Sequence, residues 1–134
     1  AKWDKAEKTY LAIVDGNPSP SEGSISQPLR LDETEYRVHV GDHPDAKPAL
    51  THYKTLTVSS ARSLLEVQID TGRQHQIRAH LAWLNYPVVG DPRYGTAGTR
   101  MGLHALRLKV TKPNSNKELL IETPAPIDFM RLLN

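Results

Sequence analysis

One continuous segment of the chain encodes the end of a strand, a turn and the start of a helix. It reads Ile69-Asp70-Thr71-Gly72-Arg73-Gln74-His75-Gln76-Ile77-Arg78-Ala79-His80-Leu81. Apolar residues at 65, 67 and 69 alternate with polar ones, which is the period of a half-buried strand. Ile77, Leu81 and Leu84 fall on one face of a helix. The segment therefore predicts a strand over 63–70 followed by a helix from residue 74 to about residue 84.

The turn inside this segment combines a predicted helix cap with basic side chains. Thr71 and Gln74 have the spacing of a capping box, and Gly72 lets the backbone turn sharply. Cations near a helix N-terminus oppose the helix dipole, so helix stability alone does not explain their presence. We therefore expect an anion at this junction, either a carboxylate or a phosphate. The basic side chains are Arg73, His75, Arg78 and His80.

Composition places the chain in a broad class. Its 134 residues are 38% hydrophobic and 24% charged, which is typical of a single globular domain with a real core. We expect no membrane span and no signal peptide. Cysteine is absent, which excludes disulfides and thiolate metal sites and is compatible with the cytoplasm. The net charge of +2 permits nucleic-acid binding without requiring it.

The remaining pattern favours strands over helices. Residues 8–14 carry apolar side chains on both faces, which indicates a central, covered strand. The charged residues 1–7 are expected to be helical or frayed, and a short helix should follow Pro126, with Phe129, Leu132 and Leu133 packing back. Hairpin-length links predict an α+β fold with a mixed, largely antiparallel sheet. Further strands are predicted near 24–29, 36–40, 51–58, 104–110 and 119–122.

Three segments, taken in order, resemble one known family. They are residues 7–12, residues 71–95 and residues 102–105. Together they resemble the RluA-type pseudouridine synthases, which convert uridine to pseudouridine in ribosomal or transfer RNA. The resemblance implies a pseudouridine synthase-like catalytic core with an RNA cleft across one face of its sheet. It also implies a reaction that detaches uracil from C1′, rotates it and rejoins it through C5, with no cofactor and no metal.

The resemblance also implies roles for individual residues. Tyr10 would pack on the flipped base and take part in proton transfer, since the base must leave its stack to react. Arg78 would pair with the catalytic aspartate and keep it ionised. Leu103 and His104 would help to form the wall of the uracil pocket, although a core position for His104 is an open alternative.

Arg73 and His75 are candidate RNA-binding residues with alternatives. Arg73 either braces the turn or contacts phosphate. His75 and His80 are five residues apart, which is not the spacing of a helical metal pair, and no third ligand stands out. We expect these histidines to be structural or to face the RNA, and we predict no metal site.

The nucleophile of the family is missing from its expected place. The family's aspartate lies in a His-Arg-Leu-Asp type motif upstream of the tyrosine, whereas Asp4 precedes Tyr10 in Lys2-Trp3-Asp4-Lys5. Arg30-Leu31-Asp32 follows Tyr10, and Leu29 stands where the motif has His, so we interpret it as a loop or strand edge. Asp91 with Arg93 is interpreted as a turn with a surface ion pair.

Two functional hypotheses follow from this departure. In the first, residues 1–134 are the C-terminal portion of a pseudouridine synthase catalytic domain that needs an upstream segment of the same protein for activity. In the second, the chain is a catalytically inactive RNA-binding relative or interaction module. In the first case, removal of the upstream strands should expose a sheet edge and apolar surface.

Overall fold

The central element of the computed structural model, which describes residues 5–112, 114 and 116–134, is the strand β1 (Lys5–Asp15). Residues 11–14 of β1 are at most 9% exposed, so both faces of this strand are covered, as predicted. The strand begins three residues earlier than expected. Residues 5–7, predicted to be helical or frayed, therefore belong to the sheet, and residues 1–4 lie outside the described part of the chain.

The described residues form a mainly antiparallel structure. One sheet has the strand order β2-β5-β6-β1-β7-β8, and β3 and β4 form a separate two-stranded sheet; every strand pair is antiparallel. This confirms the predicted α+β class. The strands are β2 (Glu22–Ile25), β3 (Leu29–Asp32), β4 (Arg37–Val40), β5 (Thr51–Ser59), β6 (Arg62–Ile69), β7 (Leu103–Thr111) and β8 (Glu118–Glu122).

Helices cover the two faces of the large sheet. The helix α1 (Gln76–Trp83) buries Ile77 and Leu81 against one face. On the other face, α2 (Ile127–Met130) and a 3₁₀ turn (Arg131–Leu133) bury Phe129 and Leu133, as the sequence predicted. The small sheet packs beside α1, where Leu29 of β3 joins the core. Among the described residues, no helix has the length and apolar character needed to cross a membrane.

The turn before α1 differs from the predicted capping box. The helix begins at Gln76, and His75 before it has a φ of 52°, in the left-handed region. The side-chain oxygen of Gln76 accepts the Thr71 hydroxyl at 2.9 Å and the Arg73 amide at 3.1 Å. Gln74 instead donates to the Tyr36 hydroxyl at 2.8 Å. The capping-box prediction was therefore wrong, because a glutamine two residues further along closes the turn.

Candidate active site

A cleft of about 330 Å³ opens where β1, the end of β6 and the start of α1 meet. Five of the six residues predicted from the sequence line it: Tyr10, Arg73, His75, Arg78 and Leu103. Its other lining residues are Lys8, Ile69, Gly72, Gln76, Ile77 and Met101. The strand–turn–helix junction thus brings residues from opposite ends of the chain into one concave site.

A β-bulge lies beside Tyr10. Thr9 pairs with Arg107 whereas Tyr10 pairs with Ala105, so Leu106 is the extra residue of β7. Bulges bend a strand and re-aim side chains, and they are frequent next to active sites. Tyr10 is half-buried and also lines a second cleft, of about 270 Å³, between β1 and β8. Tyr10 therefore lies between two concave surfaces.

Arg78 is held by a buried carboxylate. Its Nε donates to Oδ2 of Asp91 at 2.9 Å and its Nη2 donates to Oδ1 at 2.8 Å. Asp91 is fully buried, and Oδ1 also accepts the backbone amides of Arg93 at 3.0 Å and Tyr94 at 3.2 Å. The predicted turn at Asp91 is present, but the predicted surface pair with Arg93 is wrong. The carboxylate faces inward because it is satisfied by four donors there.

The electrostatics of this pair keep both groups charged. Burial alone would raise the pKa of Asp91, but hydrogen bonds from Arg78 and the two amides outweigh it and hold that pKa below its usual range. The hydrogen bond to Asp91 raises the pKa of Arg78. Within the described residues, Nη1 of Arg78 has no hydrogen-bond partner. One side of the guanidinium is therefore fixed, and the other can receive a second acceptor.

Tyr94 organises the basic side of the cleft. The guanidinium of Arg78 lies 5.2 Å from the centre of its ring and that of Arg37 lies 4.8 Å from it, both within cation–π range. The Tyr94 hydroxyl accepts the Val38 amide at 2.8 Å and is hydrogen-bonded to Nδ1 of His75 at 2.8 Å. Burial, followed by the charges of Arg78 and Arg93, lowers the pKa of His75, which favours the neutral ring.

The other predicted candidates occupy different surroundings. Arg73 donates from Nε to the carbonyl of Pro48 at 2.9 Å, so it braces the turn while lining the cleft. His104 does not line this cleft: its Nε2 lies 2.7 Å from the carbonyl of Thr123, and its ring lies 5.8 Å from that of Phe129. His104 thus belongs to the opposite face of the sheet, which does not support its predicted place in the pocket wall.

Two further side chains singled out by the sequence are structural. His80 is fully buried, with Nδ1 2.7 Å from the Thr51 hydroxyl and Nε2 2.8 Å from the carbonyl of Gln27. Asp32 ends β3, and its Oδ1 accepts the amides of residues 34 and 35, as in an ordinary Asx turn. This supports the interpretation of Arg30-Leu31-Asp32 as a strand edge.

The sequence reasoning missed Asp91, Tyr94, Lys8 and Met101 as parts of this site. Asp91 and Tyr94 lie in the segment 71–95 that carried the family resemblance. Their signal was the compact loop at 90–95, in which glycine and proline residues surround an acid and an aromatic side chain. Such a loop suggests a surface turn, and only its contacts with Arg78 and His75 connect it to the cleft.

Comparisons with known proteins identify the family. A family model described as RNA pseudouridylate synthase matches residues 2–83. An uncharacterised RNA pseudouridine synthase of Chloroflexus aurantiacus is 41% identical over 96% of this chain and 42% of its own length. Ribosomal large subunit pseudouridine synthase D of Escherichia coli is 32% identical over 94% of this chain and 43% of its own length.

A solved structure agrees with the fold. Human RNA pseudouridylate synthase domain containing 1 superposes with a TM-score of 0.75 at 30% identity, over 91% of this chain and 56% of that one. The chain belongs to the RNA pseudouridylate synthase family. Its relatives place it with the RluA-type enzymes, which confirms the resemblance seen in the sequence. The chain spans less than half the length of these two curated relatives.

Proposed function

We propose that this chain supplies the tyrosine-and-arginine part of an RNA pseudouridine synthase active site. In this proposal a longer protein, called the parent protein below, contains the chain and supplies the nucleophilic aspartate from an upstream segment. The observation that carries the proposal is that Tyr10 and Arg78 line one cleft, with Arg78 clamped by Asp91. The relatives' names support the same reaction class.

The geometry suggests a separate role for each residue of the cleft. Because Asp91 occupies one edge of the Arg78 guanidinium, Nη1 remains for a second carboxylate, which such a pair would hold ionised. Tyr10 offers an aromatic face on which an extruded uracil stacks. The neutral ring of His75 and the apolar side chain of Leu103 complete the surroundings of the base.

We further propose a uridine of large-subunit ribosomal RNA as the substrate. The support is that the Escherichia coli and Nitrosomonas europaea relatives are named ribosomal large subunit pseudouridine synthases. A transfer RNA uridine is the alternative that the resemblance leaves open. Ribosomal RNA as substrate would place the parent protein in the cytoplasm, where bacterial ribosomes are assembled.

The test is pseudouridine formation by the parent protein and its Arg78→Lys variant. Lysine keeps a positive charge beside the buried Asp91 but cannot hold two carboxylates through a planar fork. We expect turnover to fall about 100-fold, since a small misplacement in an active site has that order of effect. Nucleoside mass spectrometry of the digested RNA, after a labelling reaction specific for pseudouridine, measures it.

The matched control is Arg62→Lys, because Arg62 pairs with Asp15 at the end of β1 that lies away from the cleft. We expect that variant to keep its turnover. Near-normal turnover of Arg78→Lys would remove Arg78 from the mechanism. Alanine is a poorer choice at residue 78, because it would leave the Asp91 carboxylate buried without its cation.

A second candidate function is RNA binding without catalysis. It is the alternative that the resemblance leaves open, because the aspartate is not among the residues that carry the resemblance. A parent protein that binds RNA in a salt-dependent manner, yet forms no pseudouridine, would establish this candidate in place of the first.

A further inference from the structure

A half-exposed aromatic side chain lies at the turn between β3 and β4. Tyr36 is 50% exposed, and its backbone has a φ of 49°, in the left-handed region. Glycine and asparagine are the usual residues in that region, because a larger L side chain there crowds its own backbone. A tyrosine at this position therefore costs stability, and burial offsets little of that cost because half of the residue stays in solvent. The ring is better explained by a ligand that it contacts.

The ring of Tyr36 is held in place by neighbours from two other parts of the chain. The Gln74 amide donates to the Tyr36 hydroxyl at 2.8 Å, and the His75 ring meets the Tyr36 ring edge to face, with 5.5 Å between their centres. The Arg93 guanidinium lies 5.3 Å from the ring centre, within cation–π range. A ring held in this way loses little conformational entropy when a ligand stacks on it.

Two arginines connect this turn to the loop at 90–95. The Arg37 guanidinium donates to the carbonyl of Arg93, and Arg93 donates from Nη1 to the carbonyl of Glu35 at 3.3 Å. Neither arginine makes an ion pair within the part of the chain that the structure describes. Their positive charges are therefore available to a phosphate group close to Tyr36.

The acidic residues of the same turn do not cancel these charges. The Asp32 carboxylate accepts the amides of residues 34 and 35, and the Glu35 carboxylate lies 3.0 Å from Nε2 of His39. Glu33 is exposed, where water and salt screen its charge. The surface around Tyr36 can therefore accept an anionic ligand.

A row of rings and cations connects Tyr36 with the candidate active site. His75, which lines the cleft, contacts the rings of Tyr36 and Tyr94, with 5.5 Å between ring centres in each case. Arg78 lies 5.2 Å from the centre of the Tyr94 ring. A stacked strand rises about 3.4 Å per nucleotide, so three such steps correspond to about five nucleotides. An RNA strand with its target in the cleft can therefore reach Tyr36 with a nucleotide close to that target.

We propose that Tyr36 is a stacking platform for the base of an unpaired nucleotide within about five positions of the target uridine. Arg37 and Arg93 would contact the phosphates on either side of that base. Stacking on an aromatic side chain accepts any base, because every base has a π face. The inference rests on the proposed function in that it takes the target uridine as its point of reference. Tyr36 is then a positioning residue, which sets the course of the RNA strand outside the cleft.

RNA binding by the parent protein and its Tyr36→Asn variant tests the platform. The probe is a fluorescently labelled single-stranded RNA with one central uridine and adenosines on both sides. We expect Tyr36→Asn to weaken binding about tenfold, whereas Tyr36→Phe keeps the ring and should bind within about twofold of the original protein. Asparagine suits the left-handed backbone, so the substitution should not lower the midpoint of urea unfolding. Unchanged affinity of Tyr36→Asn would overturn the proposal.

The matched control is Trp83→Asn. Trp83 has nearly the same exposure, 48%, but it is the last residue of α1, whereas the first turn of that helix lines the cleft. We expect this variant to keep its affinity for the probe. An equal loss of affinity in Trp83→Asn and Tyr36→Asn would overturn the proposal, since the loss would then not depend on the position of the ring.

Removal of one base at a time from the probe shows whether Tyr36 contacts a base. We expect one particular abasic position to weaken binding to the original protein about tenfold and to have almost no effect on Tyr36→Asn. The two effects should not add, because the base and the ring form a single contact. Equal losses for both proteins at every position would overturn the proposal.

The outcomes separate this inference from the proposed function. Coupling between Tyr36 and one base, in a parent protein that forms no pseudouridine, would support the platform and remove the catalytic proposal. Pseudouridine formation without such coupling would support catalysis and remove the platform. Each measurement therefore decides one statement without depending on the other.

Discussion

At the scale of single residues, the Arg78–Asp91 pair both stabilises the folded chain and holds Arg78 in the cleft. A fully buried carboxylate is tolerated because two side-chain and two backbone donors satisfy it. We expect Asp91→Asn to destabilise the chain by about 3 kcal/mol, because removal of one partner leaves the other charge uncompensated. Urea unfolding monitored by circular dichroism measures this change in the free energy of unfolding.

The comparison variant carries Arg78→Gln in addition. In the Arg78→Gln background, Asp91→Asn should lower the free energy of unfolding by less than half as much. No buried cation remains there to lose its partner. Equal costs in the two backgrounds would show that Asp91 acts through its backbone hydrogen bonds to Arg93 and Tyr94 and not through Arg78.

Whether a residue of the site could be predicted from the sequence also depends on its own surroundings. Tyr10 and Arg78 lie in segments with a recognisable motif, so their shared cleft could be anticipated. Asp91 could not, because an acid between glycine and proline is most simply a surface turn, and its burial depends on a loop closing over α1. The prediction that Leu103 and His104 line one pocket conflicted with strand geometry, because neighbouring side chains of a strand point to opposite faces.

At the scale of elements, His80 ties α1 to β5 and makes that contact sensitive to pH. Burial lowers the pKa of His80 below its ordinary value of about 6.5. At a pH between these two pKa values, His80 is protonated in the unfolded chain and neutral in the folded chain. The free energy of unfolding therefore falls as the pH falls below about 6.5. The loss approaches about 1.4 kcal/mol per pH unit for one such group.

We therefore expect His80→Gln to weaken the dependence of stability on pH. Glutamine keeps a donor for the Gln27 carbonyl and does not titrate. The free energy of unfolding, measured in urea at pH 7.5 and 5.5, should change by about 1 kcal/mol less in the variant than in the original chain. Equal changes in both proteins would assign the pH dependence to other groups, His75 among them.

Elements were more predictable than their ends. The pattern of apolar residues located most strands and both helices, because burial of one face sets its period. The single strand predicted near 24–29 was wrong, because the structure has two strands there, β2 (Glu22–Ile25) and β3 (Leu29–Asp32). The boundaries of the elements depended on contacts from distant parts of the chain. Residues 5–7 joined β1 because they pair with residues 109–111, and α1 starts at Gln76 because that side chain closes the preceding turn.

At the scale of the whole molecule, the distribution of charge distinguishes two regions. Arg107 and Lys109 pair with Glu122 and Glu118 near β8. On the side of the cleft, by contrast, no ion pair within the described residues involves Arg73, which lines it, or Arg37 and Arg93, which stack on Tyr94 and Tyr36. Unpaired arginines beside a cleft fit contacts with a phosphate backbone.

RNA binding by variants of Arg73 tests this region. We expect Arg73→Gln in the parent protein to weaken binding about tenfold at low salt and to reduce the slope of log K against log salt by about 1. Arg73→Lys loses the Nε hydrogen bond to the Pro48 carbonyl but keeps the positive charge. It should therefore retain most of the affinity for RNA. Unchanged affinity of Arg73→Gln, together with lower stability in both variants, would show that Arg73 only braces the turn.

The central place of β1 also has a consequence for how the chain is made. Lys8 pairs with Ile69 on one side, and Lys5 pairs with Thr111 on the other. At a synthesis rate of about 5–20 residues per second, the second neighbour of β1 emerges from the ribosome roughly 5–20 s after β1 itself. Such distant pairing also slows folding, because loops must close before contacts form. During that interval the β7 side of β1 has no partner on the nascent chain, which leaves that edge open to chaperones.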